Sequence, residues 1–244
     1  MRFALTSEHV AFFHEHRYVE FEQIISREEA DLLAVASQEA LHTKLRTFFL
    51  SGKTPQCADV FRAGRDLWRE NKVIKQVVLR SQLASVAAEL AKEPSLRLAF
   101  DQSLLSAPSS HDTLLPCFAR PLSLSEGSCI QGLAGALLLQ LSDPYPEPPS
   151  LPPPSLDDEP APLALFPQKK GSGIFFSPLA PLSLGHFTDR SRGDMHQLLI
   201  VYGIDKSLYK REKLDPHIHH LKRFGYQFGD CLKKDTHPIF KRAF

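Results

Sequence analysis

The chain has 244 residues, of which 43% are hydrophobic and 23% charged. That size and composition suit one large domain or two small ones around a packed core, and they exclude a disordered chain. With 29 basic against 28 acidic side chains the formal charge is +1, which gives no global drive toward DNA, RNA or an anionic membrane.

In chain order, Thr6 or Ser7 caps a first helix in which Val10, Phe12 and Phe13 fall at helical spacing. Tyr18 to Ile25 alternates apolar and polar residues and predicts a strand exposed on one face. Ser26 with Glu29 three residues later is a capping box, opening a helix through Ala30, Leu33, Ala34, Ser37 and Leu41 toward Phe49. Ser51-Gly-Lys-Thr-Pro55 then breaks the chain. Thr47 stands where the first glycine of a phosphate-binding loop would be, so this segment reads as a helix-ending turn. Asp66 begins another helical stretch with Leu67, Trp68, Val73, Ile74, Val77 and Val78 on one stripe. After a break near Ser81, Leu83, Val86, Ala87 and Leu90 continue it. Leu96 to Leu105 alternates as the first strand of a sheet. Beyond it, prolines and glycines from Pro108 to Pro144 divide short apolar runs, the punctuation of a β-rich half after a helical half.

Pro144 to Pro162 is a polyproline-like excursion. Proline lacks an amide donor, so the segment is expected to be an exposed loop and not an interior strand. Its Pro149-Ser-Leu-Pro152 has the minimal spacing of an SH3-type ligand, a match common by chance. Gly171 to Phe176 and Leu198 to Tyr202 read as two buried strands holding a polar loop that carries His186, Asp189, Arg190, Arg192, Asp194 and His196. The segment after Ile204 is rich in basic, aromatic and histidine residues. His217, His219, His220 and Cys231 are possible zinc ligands, but their spacing fits no zinc module, and a tail packed on the sheet is the preferred reading.

The four cysteines, Cys57, Cys117, Cys129 and Cys231, form no Cys-X-X-Cys pair, so reduced thiols are expected. The first residues, broken by Glu8, His9, His14 and Glu15, lack the apolar run of a signal peptide. The longest apolar stretch, Gly132 to Leu139, is about half of what a bilayer crossing needs. A cytoplasmic protein without a membrane partner is the expectation.

Phe12-Phe-His-Glu-His-Arg-Tyr-Val-Glu-Phe21, the capped helix after Ile25, Arg65-Asp-Leu-Trp-Arg-Glu-Asn71 and the strand Phe100-Asp-Gln-Ser-Leu-Leu105 together resemble the phytanoyl-CoA dioxygenase-like branch of the iron(II)/2-oxoglutarate oxygenases. The resemblance is spread over residues 1 to 105 and continues weakly to about 203. It implies an α+β fold: one domain with a mainly helical part plus the first strands over 1–105, a double-stranded β-helix (a cupin-like jelly roll) over 106–203 with the proline-rich loop at 144–162, and a His-rich basic C-terminal segment over 204–244. It also implies a site. Members hold Fe(II) by a His-X-Asp pair and a distal His, leaving positions open for 2-oxoglutarate and O₂, and an Arg pairs with the cosubstrate's distal carboxylate.

This sequence departs from that pattern at each point. The metal candidates are His111, Asp112 and His186, but His111 and Asp112 are adjacent, so on a strand they would point to opposite faces. If Pro121 sets the register instead, Cys117-Phe-Ala119 occupies the pair. The cosubstrate Arg position falls on His196, with Arg192 four residues earlier, and a neutral imidazole does not replace a guanidinium fork. The expectation is an oxygenase-like protein with a degraded metal triad, non-catalytic, binding a small molecule or a protein partner and needing no cofactor. The first alternative is an active dioxygenase using Fe(II) and 2-oxoglutarate at an irregular site. The second is a metal-responsive DNA-binding regulator, for which neither a helix-turn-helix signature nor a basic charge is present. The mouth of the jelly-roll funnel is expected near His186 and the 106–120 segment.

Overall fold

The computed structural model describes residues 5–107, 115–143, 167, 169–184, 187 and 195–241. Helix α1 (Ser7–His16) starts where Thr6 Oγ1 accepts the His9 amide. Strand β1 (Tyr18–Phe21) keeps the expected alternation, with Val19 and Phe21 buried and Tyr18 and Glu20 half-buried. It is shorter than the sequence pattern suggests, because Gln23 adopts a left-handed conformation (φ 53°) and turns Ile24 and Ile25 into the core. Helix α2 (Arg27–Lys44) is capped by Ser26, whose Oγ accepts the Glu29 amide at 3.1 Å. Only this half of the capping box is used in that way; the Glu29 carboxylate is drawn to Arg80 instead.

The helix stops at Leu45, and a short α3 (Arg46–Leu50) leads into the turn at Gly52. Helix α4 (Cys57–Ala63) follows. Asp66 lies in the left-handed region (φ 57°) ahead of a 3-10 turn, Leu67–Arg69, so it does not begin the next helix. Asn71 does: its Oδ1 accepts the Val73 amide at 2.8 Å and caps α5 (Lys72–Val78). Helix α6 (Ser81–Ala91) buries Leu83, Ala84, Val86, Ala87, Ala88 and Leu90 and packs against the first two long strands of the sheet, β2 (Ser95–Leu105) and β4 (Ile130–Gln140).

The main sheet is antiparallel throughout, in the order β1-β5-β4-β7-β2-β8, where β5 is Gly173–Phe176, β7 His196–Tyr209 and β8 Ile239–Lys241. Strands β5 and β7 are not neighbours: β4 lies between them and pairs with both. A second, two-stranded sheet joins β3 (Leu122–Ser123) to β6 (Pro181–Leu182). Strands β1 and β2 come from the mainly helical part, where a strand at Tyr18 and another at Leu96 are expected, and the C-terminal segment adds β8 to the same sheet. Strands β2 and β7 are buried on both faces, which explains why Leu198 to Tyr202 reads as a continuous apolar run. The proline-rich segment lies outside the described residues. Among the described residues, no helix is long and apolar enough to cross a membrane.

Gly171 makes the entry to β5 possible. It has φ +87°, its carbonyl accepts the Ile25 amide at 3.1 Å, and a Cβ there would sit 2.6 Å from the Ile25 carbonyl oxygen. Gly171→Ala is expected to destabilise the fold by roughly 2 kcal/mol, combining left-handed strain with a backbone clash. Gly225→Ala, at φ +79° with nothing within 4 Å, carries the strain alone. Urea midpoints of the two variants compare the terms, and equal losses would show that the Ile25 contact relaxes freely.

Candidate functional site

Parity along the strands defines which side chains can share a site. Gln102 pairs with Leu199 across β2 and β7, and Phe100, Gln102 and Leu199 line one side of a cavity. Leu122, Ser123 and Leu182 of the small sheet line the other. The cavity therefore lies between the two sheets. Helix α7 (Pro116–Ala119) brings in Cys117, and the C-terminal segment brings in Asp215, Pro216 and His217. The space is small, about 50 Å³. That is room for one or two waters.

Arg65 is the cation of this cavity. It is placed there because residues 64–66 run antiparallel beside β2: the Ser103 amide donates to the Gly64 carbonyl at 2.9 Å, the Asp66 amide to the Asp101 carbonyl at 3.0 Å, and Arg65 bridges Gln102. Arg65 is 6% exposed, with its guanidinium 3.2 Å from the centroid of the Phe100 ring. Its Nη2 is 4.0 Å from Asp215 Oδ2. Among the described residues no carbonyl or hydroxyl takes a hydrogen bond from this guanidinium.

Asp215 is held by the backbone. The Cys129 amide donates to Oδ2 at 2.6 Å and the His217 amide to Oδ1 at 2.7 Å. Burial opposes ionisation, but the His217 side chain, whose Nδ1 lies 3.5 Å from Oδ1, the Arg65 charge and the Cys129 amide outweigh it and hold the carboxyl below the usual range, so it is an anion. His217 Nε2 lies 3.2 Å from the Arg62 carbonyl oxygen, which only accepts, so this nitrogen carries the proton. Burial lowers the pKa of His217 and keeps the ring neutral. Its Nδ1, and Gln102 Oε1, have no hydrogen-bond partner among the described residues. Burial also pushes the Cys117 thiol up to about 12, which makes it neither a nucleophile nor a ready metal ligand at neutral pH.

A second buried network lies at the junction of residues 65–69 with the C-terminal segment. Asp66 Oδ2 accepts from Arg69 Nε at 3.2 Å and from His220 Nε2 at 2.9 Å. Asp101, fully buried, accepts the Leu67 and Trp68 amides. Burial, reinforced by the Asp66 charge, pushes the Asp101 carboxyl far above the ordinary carboxylate range.

Of the residues singled out in the sequence, His111, Asp112, His186 and Arg192 lie outside the described residues. His196 is described. It opens β7, alternates with the face that carries Leu199, and meets Ser103 Oγ with Nε2 at 3.1 Å, so it is not a lining residue of the cavity. Cys117 and Ala119 lie on one helical turn with Pro116 in its first position, so the alternative register places no strand pair there. His217, His219, His220 and Cys231 do not converge on one point: His217 faces the cavity with its ring edge-on to that of His220, 5.9 Å away, His220 binds Asp66, His219 lies against Phe228, and Cys231 is exposed beside Leu208. Among the described residues no three His, Cys, Asp or Glu side chains converge as a metal site. The C-terminal segment packs on the sheet, with Tyr226, Leu221 and Leu232 buried. The sequence pattern does not single out Arg65, Gln102 or Asp215 as site residues. The adjacent charges Arg65-Asp66 before an apolar pair, and Asp215-Pro-His217, were the signals available.

No protein-family model matches the sequence, and no curated protein matches it. Solved structures do. The non-heme alpha-ketoglutarate-dependent carbocyclase SnoK from nogalamycin biosynthesis aligns with TM-score 0.66 and 16% identity over 97% of each chain. The non-heme alpha-ketoglutarate-dependent epimerase SnoN, from the same biosynthesis, aligns with TM-score 0.56 and 15% identity over 96% of this chain and 98% of its own. HygX from Streptomyces hygroscopicus, solved with nickel and 2-oxoglutarate bound, aligns with TM-score 0.50 and 15% identity over 82% of this chain and 88% of its own. At these identities what is shared is the fold, a mixed helix and sheet architecture with a curled antiparallel sheet.

Proposed function

We propose that this chain is a non-catalytic binding or regulatory protein on the scaffold of the iron(II)/2-oxoglutarate oxygenases. Within that scaffold it belongs with the phytanoyl-CoA dioxygenase-like branch, its sheets wound as a double-stranded β-helix and its metal triad degraded. The observation that carries the reading is the cavity between the sheets. Small-molecule pockets have volumes of roughly 300–1,000 Å³, and this one has about 50 Å³. Its cation, Arg65, already faces Asp215, and the first two positions of β7 on the cavity side are Gln197 and Leu199, neither of which offers a positive charge to a dicarboxylate. The described wall therefore does not fit 2-oxoglutarate. A small molecule or a protein is the partner, in the cytoplasm.

The second reading, an active Fe(II)/2-oxoglutarate dioxygenase with His111, Asp112 and His186 as ligands and Arg192 or His196 at the cosubstrate, takes its support from the SnoK likeness over the whole of both chains. Anaerobic Fe(II) titration followed by a 2-oxoglutarate turnover assay separates the two. The expected result is no saturable one-to-one iron uptake and no succinate release. A stoichiometric site with imidazole and carboxylate donors about 2.0–2.2 Å from the ion, together with succinate formation, would replace the first reading with the second.

A further inference from the structure

We propose that Asp215 is a built-in occupant of the cavity: the C-terminal segment supplies, within the same chain, the carboxylate that Arg65 would otherwise draw from solvent. This deepens, and rests on, the reading of the chain as a scaffold without iron chemistry in this cavity. Three observations lead to it. Arg65 is almost fully buried, lines the cavity, and meets no hydrogen-bond acceptor among the described residues; the Asp66 charge also acts on it, but among the described residues the carboxylate within ion-pair distance is Asp215, at 4.0 Å. That group is not positioned by Arg65. Two short backbone hydrogen bonds, from Cys129 at the start of β4 and from His217, fix both of its oxygens.

The segment bearing it is itself anchored at several points. The Lys210 amide donates to the Cys129 carbonyl at 2.8 Å, the Tyr209 hydroxyl donates to the Ile218 carbonyl, and His217 Nε2 donates to the Arg62 carbonyl. A carboxylate set by peptide amides and aimed at a buried guanidinium has the form of a bound anion whose carrier is the polypeptide. A buried cation left without its partner is strongly unfavourable, so the segment closes the cavity to free carboxylates for as long as Asp215 stays in place.

Truncating the side chain creates the test. Asp215→Ala leaves the Arg65 guanidinium and the Cys129 and His217 amides facing a space the size of a carboxylate. Formate is the probe, with chloride at equal ionic strength as the control. The variant is expected to unfold at lower urea than the wild type, and formate is expected to raise its midpoint saturably while chloride does not. The wild type should respond far more weakly, with a half-saturation at least about tenfold higher in formate. The double variant Arg65→Met with Asp215→Ala should lose the response. If Asp215→Ala does not fold, Asp215→Ser, which keeps an acceptor for the Cys129 amide, carries the same measurement. An equal formate response in wild type and variant, or no response in the folded variant, overturns the proposal. Iron uptake and succinate release by the wild type would instead remove the reading beneath it, whatever formate does.

Discussion

Replacing Asp66 with alanine is expected to lower the unfolding free energy by about 3 kcal/mol at pH 7. Removing one partner of a buried charge pair typically costs about 3–5 kcal/mol, because the remaining charge is left without compensation. The Asp66 side chain is 1% exposed and holds two groups, Arg69 and the C-terminal His220. Its left-handed backbone adds to the loss, since aspartate tolerates that conformation better than alanine. Two effects act the other way. Arg69 keeps its hydrogen bond to the Thr236 carbonyl at 2.7 Å and its place over the Trp68 ring. Asp101, whose ionisation is suppressed first by burial and then by the Asp66 charge, is relieved of that charge. The lower end of the range is therefore the expectation. Asp66→Asn, which tolerates the same backbone and keeps an acceptor for Arg69, should lose less than the alanine variant. Urea unfolding of both, with His220→Gln to complete a double-mutant cycle, measures the coupling. A loss below about 1 kcal/mol for Asp66→Ala would show that the network adds nothing beyond a surface pair.

The contrast between what could and could not be read in the sequence follows from range. Thr6 and Ser26 were legible as helix caps because each acts on an amide three residues away. Strand β2 was legible because Leu96 to Leu105 alternates, and β7 because burial on both faces over its first half leaves the apolar run Leu198 to Tyr202. The end of β1 was not, since a left-handed Gln23 is a tertiary choice that leaves no mark on the alternation before it. The charged interior was hidden for the same reason on a larger scale. Asp66 meets His220 across 154 positions, and Arg65 meets Asp215 from equally distant segments. Family spacing directed attention to histidines and aspartates near a loop, whereas the cavity takes its charge from Arg65 and Asp215. His196 shows how much one residue of parity decides. Its neighbours Gln197 and Leu199 share the cavity face, while it turns to Ser103 on the other.

That same burial makes His196 the source of a second large effect. Acidification from pH 7 to pH 5 is expected to cost the fold about 2 kcal/mol or more. Burial lowers the pKa of His196 from 6.5 to about 4, and burial, followed by the charge of Arg69, lowers that of His237 to about 3. Both are neutral in the folded chain, whereas the unfolded chain takes up a proton on each below pH 6.5. Their contribution is thus fully present above 6.5 and is lost as the pH falls toward 4 and 3. At pH 5 each has lost about 2 kcal/mol, one and a half units at 1.36 kcal/mol per unit. Asp101 has the opposite sign: its folded pKa is raised, so its contribution is complete below 3.8 and is lost as the pH rises toward the folded value. Over the same interval it returns an amount of similar size to one histidine, which leaves the net loss near that of the other. His217 and His220, both lowered chiefly by burial, add to the acid side. Stability should therefore peak near pH 6.5, falling on the acid side through the histidines and on the alkaline side through Asp101. Urea midpoints from pH 4.5 to 8.5 trace the curve. His196→Asn should flatten the acid limb and Asp101→Asn the alkaline one. A wild-type midpoint that stays level between pH 7 and 5 would show that the buried imidazoles gain protons without opening the fold.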